Sequence, residues 1–346
     1  MKTTAMVLVE AGRPLELVEL SIPALKPGQV LVEIAYSGVC GTQVLEARGL
    51  KGEDRWLPHC LGHEGSGRVV DVGSAVTKVK PGDQVVLSWI RGSGIEAGGT
   101  VYDWNGRAVN AGGVTTFQRL SVVSENRLTP LPPGLPMDIA VLLGCAVPTG
   151  MGSIVNVLRV LPGESVVVFG TGGIGLNACM AASLAGAMPV IGVDPNPQRR
   201  ALAEAYGASH TIDPTAGDPV AAIWKILPQG ADAAVEATGQ TAVMEQALRA
   251  VRAQGGRAVV IGNARHGATL MLDPSLLNQG KSLLGTWGGD AVPERDYPRF
   301  ARLLSLARFD IRGLLSAPYR LEQTNQALDD LAKGRVGRPL INMHLV

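Results

Sequence analysis

The sequence predicts an α/β protein in two parts, a partly closed all-β barrel followed by a doubly wound parallel sheet. Three observations predict it. Up to about residue 145, short β-like runs are punctuated by Gly and Pro. From Ser165 onward, apolar strand-like runs alternate with helix-like ones. The first of those apolar runs leads directly into the Gly-rich turn Gly170-Thr171-Gly172-Gly173-Ile174-Gly175. A chain of 346 residues is long for one core and comfortable for two.

In the first part, strands are predicted at Ala5–Leu8, Leu15–Leu20, Gln29–Tyr36, Gly67–Val72 and Gln84–Ser88. Turns are predicted at Lys26-Pro27-Gly28 and Lys80-Pro81-Gly82-Asp83. Many short strands at close spacing suggest a barrel. The stretch Trp89–Gly113 is Gly-rich and aperiodic and reads as a surface loop.

In the second part, Val166–Phe169 precedes a helix to about Ala185, and Val190–Asp194 precedes Gln198–Tyr206. Further strands are predicted at Ala231–Glu236, Ala258–Ile261 and Ser282–Thr286. Runs without a polar face are those of a parallel sheet covered on both sides. The tail from about Trp287 reads as helical at Tyr297–Ala307 and Leu321–Lys333, then as a strand at Pro339–Val346.

Composition narrows the function. Hydrophobic residues make up 46% and charged ones 18%, which is a buried globular chain rather than a disordered one. A formal charge of +1 favours neither nucleic acid nor an anionic membrane as partner. No apolar run approaches the ~20 residues of a membrane span, and the start lacks the apolar core of a signal peptide. Four cysteines make no disulfide framework. A cytoplasmic enzyme acting on a small molecule is the expectation.

The Gly-rich turn sits in the strand–turn–helix context of a dinucleotide-binding fingerprint. Gly170 would make the tight turn, Gly172 would admit the pyrophosphate, and Gly175 would allow close helix–strand packing. Gly173 opens a helix whose free N–H groups suit phosphate. Asp194 ends the next strand, where a carboxylate would bond the adenosine ribose hydroxyls and repel a 2′-phosphate. NAD is therefore expected over NADP, with Arg199 and Arg200 nearby as the counter-argument.

Cys40-Gly41-Thr42, His63-Glu64 and Gly144-Cys145 supply two thiolates, an imidazole and a carboxylate, donor types that suit zinc. Their wide separation argues against a small structural knuckle and for a catalytic metal with one position open. Cys60 and Cys179 read as small buried hydrophobes.

Gly62-His63-Glu64 with Gly67, Gly73 and Val76, Gly38-Val39-Cys40-Gly41-Thr42, and Leu142 through Gly150 together resemble zinc-dependent alcohol dehydrogenases of the medium-chain dehydrogenase/reductase superfamily. The nearest branches are the class III-like and polyol dehydrogenases. The resemblance implies a GroES-like β-barrel catalytic domain over 1–146, a Rossmann cofactor domain over 147–286 and a return to the catalytic domain over 287–346. It implies that Cys40, His63 and Cys145 hold one catalytic zinc, with Glu64 as a conditional fourth ligand, and that Thr42 relays the alcohol proton. Thr149 and Ile174 would pack against the nicotinamide, Arg338 would meet the pyrophosphate and Arg199 would flank the adenosine. A homodimer or homotetramer is implied, associating near Ser282–Thr286.

Departures from that pattern carry their own expectations. No cysteine lies between Ser88 and Gly113, so no structural zinc is expected. Gln43 stands where the family usually has an Asp that orients the ligating His; a neutral amide can accept from His63 but adds less basicity. Leu45 replaces the His that ends the proton relay in some relatives, and Gly41 follows Cys40 as in polyol dehydrogenases. Trp89 would form a pocket wall, with Trp56 and Trp287 as further candidates. The expected activity is alcohol oxidation, with polyols or sugar-like alcohols among the substrates. The alternatives are a zinc-independent enone or quinone reductase of the same fold, disfavoured by the intact ligand set, and a non-catalytic dinucleotide-binding protein.

Overall fold

A computed structural model describes residues 1–306 and 309–345. The chain divides into two compact units, Met1–Cys145 with Val292–Val346, and Ala146–Ala291. No single helix among the described residues is long and apolar enough to cross a membrane.

In the first unit, the described strands Lys2–Leu8, Glu16–Ser21, Thr100–Trp104, Arg107–Ala111 and His59–Cys60 close into a barrel. A second sheet runs Leu128–Pro130, Gln84–Ser88, Glu64–Val72, Gln29–Gly38, Arg338–Asn342, Leu315–Tyr319, and Leu120–Ser124 also pairs with Gln29–Gly38. Alternation builds the core: Val30, Val32 and Ile34 of one strand pack with Val69, Val85, Leu87 and Phe117, all essentially without solvent contact. The tail returns to this unit because Leu340 and Ile341 pair antiparallel with Gly38 and Ser37.

The expectation of a loop over Trp89–Gly113 is corrected. Thr100–Trp104 and Arg107–Ala111 form an antiparallel hairpin of the barrel. Asn105 and Gly106 both have positive φ, 51° and 89°, the arrangement of a two-residue type I′ turn whose twist matches the strands it joins. Tyr102 and Val109 face inward while Val101 and Ala108 are exposed. An Asn-Gly pair flanked by alternating residues is a strong hairpin signal, and the surrounding glycines obscured it.

The remaining stretch before Thr100 is irregular and is held by carboxylates. Glu125 accepts from the main-chain N–H of Thr77, Lys78 and Ile95 at 2.7, 2.8 and 2.7 Å. Glu294 accepts from Lys78 Nζ at 2.6 Å and from Ser93 N and Oγ at 2.7 and 2.8 Å. Burial pushes the Glu294 carboxyl up, but Lys78 and Ser93 outweigh it and hold the pKa at about 2. The group therefore contributes stability above its unfolded pKa of roughly 4.5, and loses it as pH falls from there towards 2. Glu294 is 36% exposed, so the nominal linkage is screened to about 1–2 kcal/mol. Glu294→Gln is expected to lower unfolding free energy by that amount at pH 7, with the difference from wild type shrinking by pH 3. Urea titrations at both pH values measure it, and a pH-independent difference would show that the charge is not what holds the loop.

The second unit is a six-stranded parallel sheet in the order His210–Ile212, Val190–Val193, Val166–Phe169, Ala233–Glu236, Arg257–Val260, Ser282–Gly285. In sequence numbering this is 3-2-1-4-5-6, the Rossmann order, which puts the ligand crevice beside the first strand's carboxyl end. Val167, Phe169, Ile191, Val193, Ala234 and Leu248 pack the core. His210–Ile212 and the helices Pro219–Ile226 and Thr241–Ala250 were not anticipated. The strand is three residues long and half-exposed at the sheet edge, so it carries no apolar run.

In the tail, helices span Pro293–Leu304 and Thr324–Ala332, and Arg338–Asn342 is the final strand. Leu315–Tyr319 is an unanticipated strand parallel to it. The expected ends at Ala307 and Val346 lie outside the described residues.

Candidate metal centre and nucleotide loop

Three segments far apart in sequence meet at the carboxyl end of strand Gln29–Gly38. Cys40 caps the helix Gly41–Ala47, His63 immediately precedes strand Glu64–Val72, and Cys145 follows the 3-10 turn Val141–Gly144. Ligand atoms of Cys40, His63 and Cys145 all lie within 4.8 Å of one another. His63 Nε2 is buried and has no hydrogen-bond partner, so this nitrogen is open to a group other than protein. The Cys145 thiol donates to the Cys40 sulfur, holding the Cys40 thiol well below its ordinary range and pushing Cys145 up. Burial opposes charging of His63, but the Cys40 sulfur beside it outweighs this and raises its pKa. Two buried thiol sulfurs and a half-buried imidazole in a compact cluster are a donor set that fits zinc. By contrast, burial pushes the Cys60 and Cys179 thiols up to about 12.

Glu64 and Arg338 sit beside this cluster. Glu64 is fully buried and pairs with Arg338 at 3.1 Å. Burial raises its pKa to about 7 against the opposing charge of Arg338. Arg338 also donates to Val39 O at 3.3 Å, while its Nε and Nη2 are buried without a partner. Thr42 Oγ1 lies 4.0 Å from the Cys40 sulfur. The Trp89 ring stands edge-on to His63 with centroids 6.3 Å apart. Trp56 and Trp287 are 58% and 72% exposed, so neither fills a core.

The nucleotide fingerprint lies in the second unit. Gly170 has φ +86° and follows strand Val166–Phe169. A Cβ on Gly175 would fall inside the carbonyl oxygen of Gly170, so only glycine lets the helix Gly173–Leu184 start this close. A Cβ on Gly172 would meet no protein atom within 4 Å. Asp194 is 2% exposed and accepts from Thr171 N and Asn196 N, both at 2.9 Å. Arg199 Nε is buried without a partner, whereas Arg200 donates to Asp194 O at 2.8 Å and pairs with Asp213 at 3.1 Å. Thr149 is buried, and its hydroxyl has no hydrogen-bond partner. The carbonyl of Ile174 closes against the position a Gly150 Cβ would take, so the helix Ala146–Gly152 packs tightly on the loop's own helix.

Comparison with known proteins places these features. The family model for alcohol dehydrogenase GroES-like domains matches residues 26–133, and that for zinc-binding dehydrogenases matches 173–306. Alcohol dehydrogenase class-3 of Cereibacter sphaeroides is 33% identical over 99% of this chain and all of its own length. The chain belongs to the zinc-type alcohol dehydrogenase family. It is accordingly an oxidoreductase of alcohols. The structure of benzyl alcohol dehydrogenase from Acinetobacter calcoaceticus superposes with TM-score 0.90 at 31% identity, covering 99% of both chains. That of a zinc-binding dehydrogenase from Sinorhizobium meliloti bound to NADP superposes with TM-score 0.81 at 25% identity, again over 99% of each.

Several positioning groups of this dehydrogenase escaped sequence reasoning. Ser88 Oγ donates to Gly144 O at 2.7 Å, and Tyr297 OH, fully buried, donates to Ser88 Oγ at 2.8 Å. These two bonds anchor the residue before Cys145 from the helix Pro293–Leu304 of the tail, a relation with no local signal. Gly38 and Gly144 make room for Glu64: a Cβ on either would lie 2.7 Å from its side-chain carbons. Their signal was available, since each glycine stands one or two residues before a ligand cysteine. The Gln43 amide also differs from expectation. Its oxygen accepts from Cys40 N at 2.9 Å, and its NH2 faces His63 Nδ1 in close contact.

Proposed function

We propose that the chain is a zinc- and NAD-dependent dehydrogenase of primary or secondary alcohols, polyols and sugar-like alcohols included. The observation that carries this is the compact meeting of Cys40, His63 and Cys145 with His63 Nε2 unpartnered. These three residues would hold one zinc. Bound there, zinc is a Lewis acid that makes an alcohol hydroxyl more acidic and polarises a carbonyl in the reverse direction.

The chain's own residues do the rest. Thr42, beside Cys40, is the group suited to take the hydroxyl proton and pass it outward. The Trp89 ring, edge-on to His63, would form an apolar wall beside the metal and limit the approach of water. Glu64, held by Arg338, would serve as a ligand only after leaving that ion pair. The unpartnered Nε and Nη2 of Arg338 are donors suited to the cofactor pyrophosphate.

Gly170, Gly172, Gly173, Ile174 and Gly175 form the phosphate-binding turn, its helix N-terminus favouring negative charge. Asp194 keeps one lone pair per oxygen for ribose hydroxyls and supports NAD; Arg199 would flank the adenosine. Thr149 and Ile174 would contact the nicotinamide. Bound there, the nicotinamide would accept a hydride from the carbinol carbon. We propose a homodimer or homotetramer, associating through the edge strand Ser282–Gly285, and a cytoplasmic location.

The test is initial rates over a panel of aromatic, linear and polyhydric alcohols with NAD and with NADP, alongside metal analysis. About one zinc per subunit is expected, with kcat/KM for NAD at least roughly tenfold above NADP, equivalent to ~1.4 kcal/mol of repulsion. Protein purified without chelator that contains no zinc would remove the metal reading, and a preference for NADP would reassign Arg199 to the 2′-phosphate.

A further inference from the structure

We propose that Gln43 weakens the zinc site, because its single amide oxygen cannot serve both N–H groups that need it once His63 binds metal. This rests on the zinc reading above. The nitrogen left for metal is Nε2, buried and unpartnered, while Nδ1 is in contact with Gln43. An imidazole that ligates through Nε2 carries its proton on Nδ1 and must donate it. The main-chain N–H of Cys40 is a second donor, 2.9 Å from Gln43 Oε1.

The two donors meet opposite ends of one amide, and Gln43 is 1% exposed, so water cannot substitute. In the orientation present, oxygen takes Cys40 N–H and NH2 faces Nδ1. Turning the amide over gives Nδ1–H its acceptor and sets NH2 against Cys40 N–H. Either way a donor faces a donor, and the conclusion does not depend on which orientation is populated. In the metal-free protein the conflict vanishes, since Nδ1 can accept from the NH2. The amide therefore favours the empty site over the loaded one. A carboxylate at position 43 has an acceptor at each end and would satisfy both donors.

The test is the zinc dissociation constant, measured on the whole protein by competition with a chromophoric chelator, with thermal unfolding to check each variant. Gln43→Glu is expected to tighten zinc by about 10–100-fold, the usual worth of a partner that orients a ligating His. Gln43→Leu adds no charge, so it separates hydrogen bonding from electrostatics. It is expected to bind zinc at least as tightly as wild type, because it removes the amide that favours the empty site and leaves Nδ1–H nothing to lose. A gain below threefold in Gln43→Glu, or a tenfold loss in Gln43→Leu, would overturn the proposal while leaving the zinc reading intact. Either variant alone decides if the other does not fold. Zinc bound by Gln43→Glu but not by wild type supports the proposal in its strongest form, and zinc bound by neither removes it together with the dehydrogenase mechanism.

Discussion

Cys145→Ala is expected to purify with little zinc and to lose alcohol oxidation by about a thousandfold or more, while NADH binds as in wild type. A Lewis acid contributes several kcal/mol to the reacting centre, and each ~1.4 kcal/mol is a factor of ten in rate. Cys145 is the informative ligand to remove. Cys40 is also the N-cap of the helix Gly41–Ala47, so its loss would mix helix and metal effects. Cys145 follows the tethered carbonyl of Gly144 and contributes its thiol to the Cys40 sulfur. Removing it leaves Ser88 and Tyr297 holding the turn. Atomic absorption, fluorescence titration with NADH and steady-state rates measure the three quantities. Retained activity in zinc-free variant protein would mean that the reaction does not use the metal, whatever the ligand set suggests.

Gly172→Ala and Gly175→Ala are expected to weaken NADH by comparable amounts, about 10–100-fold, for different reasons. The open space around a Gly172 Cβ and the extended backbone there (φ −75°, ψ −168°) mean that alanine costs the fold almost nothing. A melting temperature within ~2 °C of wild type is expected, since surface changes stay within about 0.5 kcal/mol. What the methyl obstructs is the approach of pyrophosphate to the backbone. At Gly175 the methyl meets the Gly170 carbonyl and the Val168 side chain. Overpacking of this kind costs about 1–3 kcal/mol, so stability falls together with nucleotide affinity. Zinc content should stay at the wild-type level in both, the converse of Cys145→Ala. Unaltered NADH affinity in Gly172→Ala would place the phosphates elsewhere.

Much of the fold was legible because the relevant signals are local. The apolar runs at Val166–Phe169 and Val190–Val193, and the glycine spacing between them, identify a parallel sheet and its nucleotide turn within about 30 residues. The three segments that meet at Cys40, His63 and Cys145 were legible by chemistry, since few residue types suit zinc and each stood beside a glycine. The hairpin Thr100–Ala111 was missed where flanking glycines diluted its alternation, although Asn105-Gly106 marked its turn. The strand His210–Ile212 had no pattern to find, because a short edge strand buries too little apolar surface to need one.

Residue identity alone thus determined the family resemblance, the donor types at Cys40, His63 and Cys145, the glycine-rich turn with Asp194 at the end of the next strand, and the lack of cysteine between Ser88 and Gly113. Tertiary structure decided what surrounds those groups. It brought Arg338 from the tail onto Glu64, because the last strand pairs with Gln29–Gly38. It used Tyr297 and Ser88 to fix the turn before Cys145. It also set Gln43 between two donors with one oxygen to offer. Each is a contact between segments distant in sequence, chosen by packing and hydrogen-bond geometry, for which the neighbouring residues along the chain carry no signal.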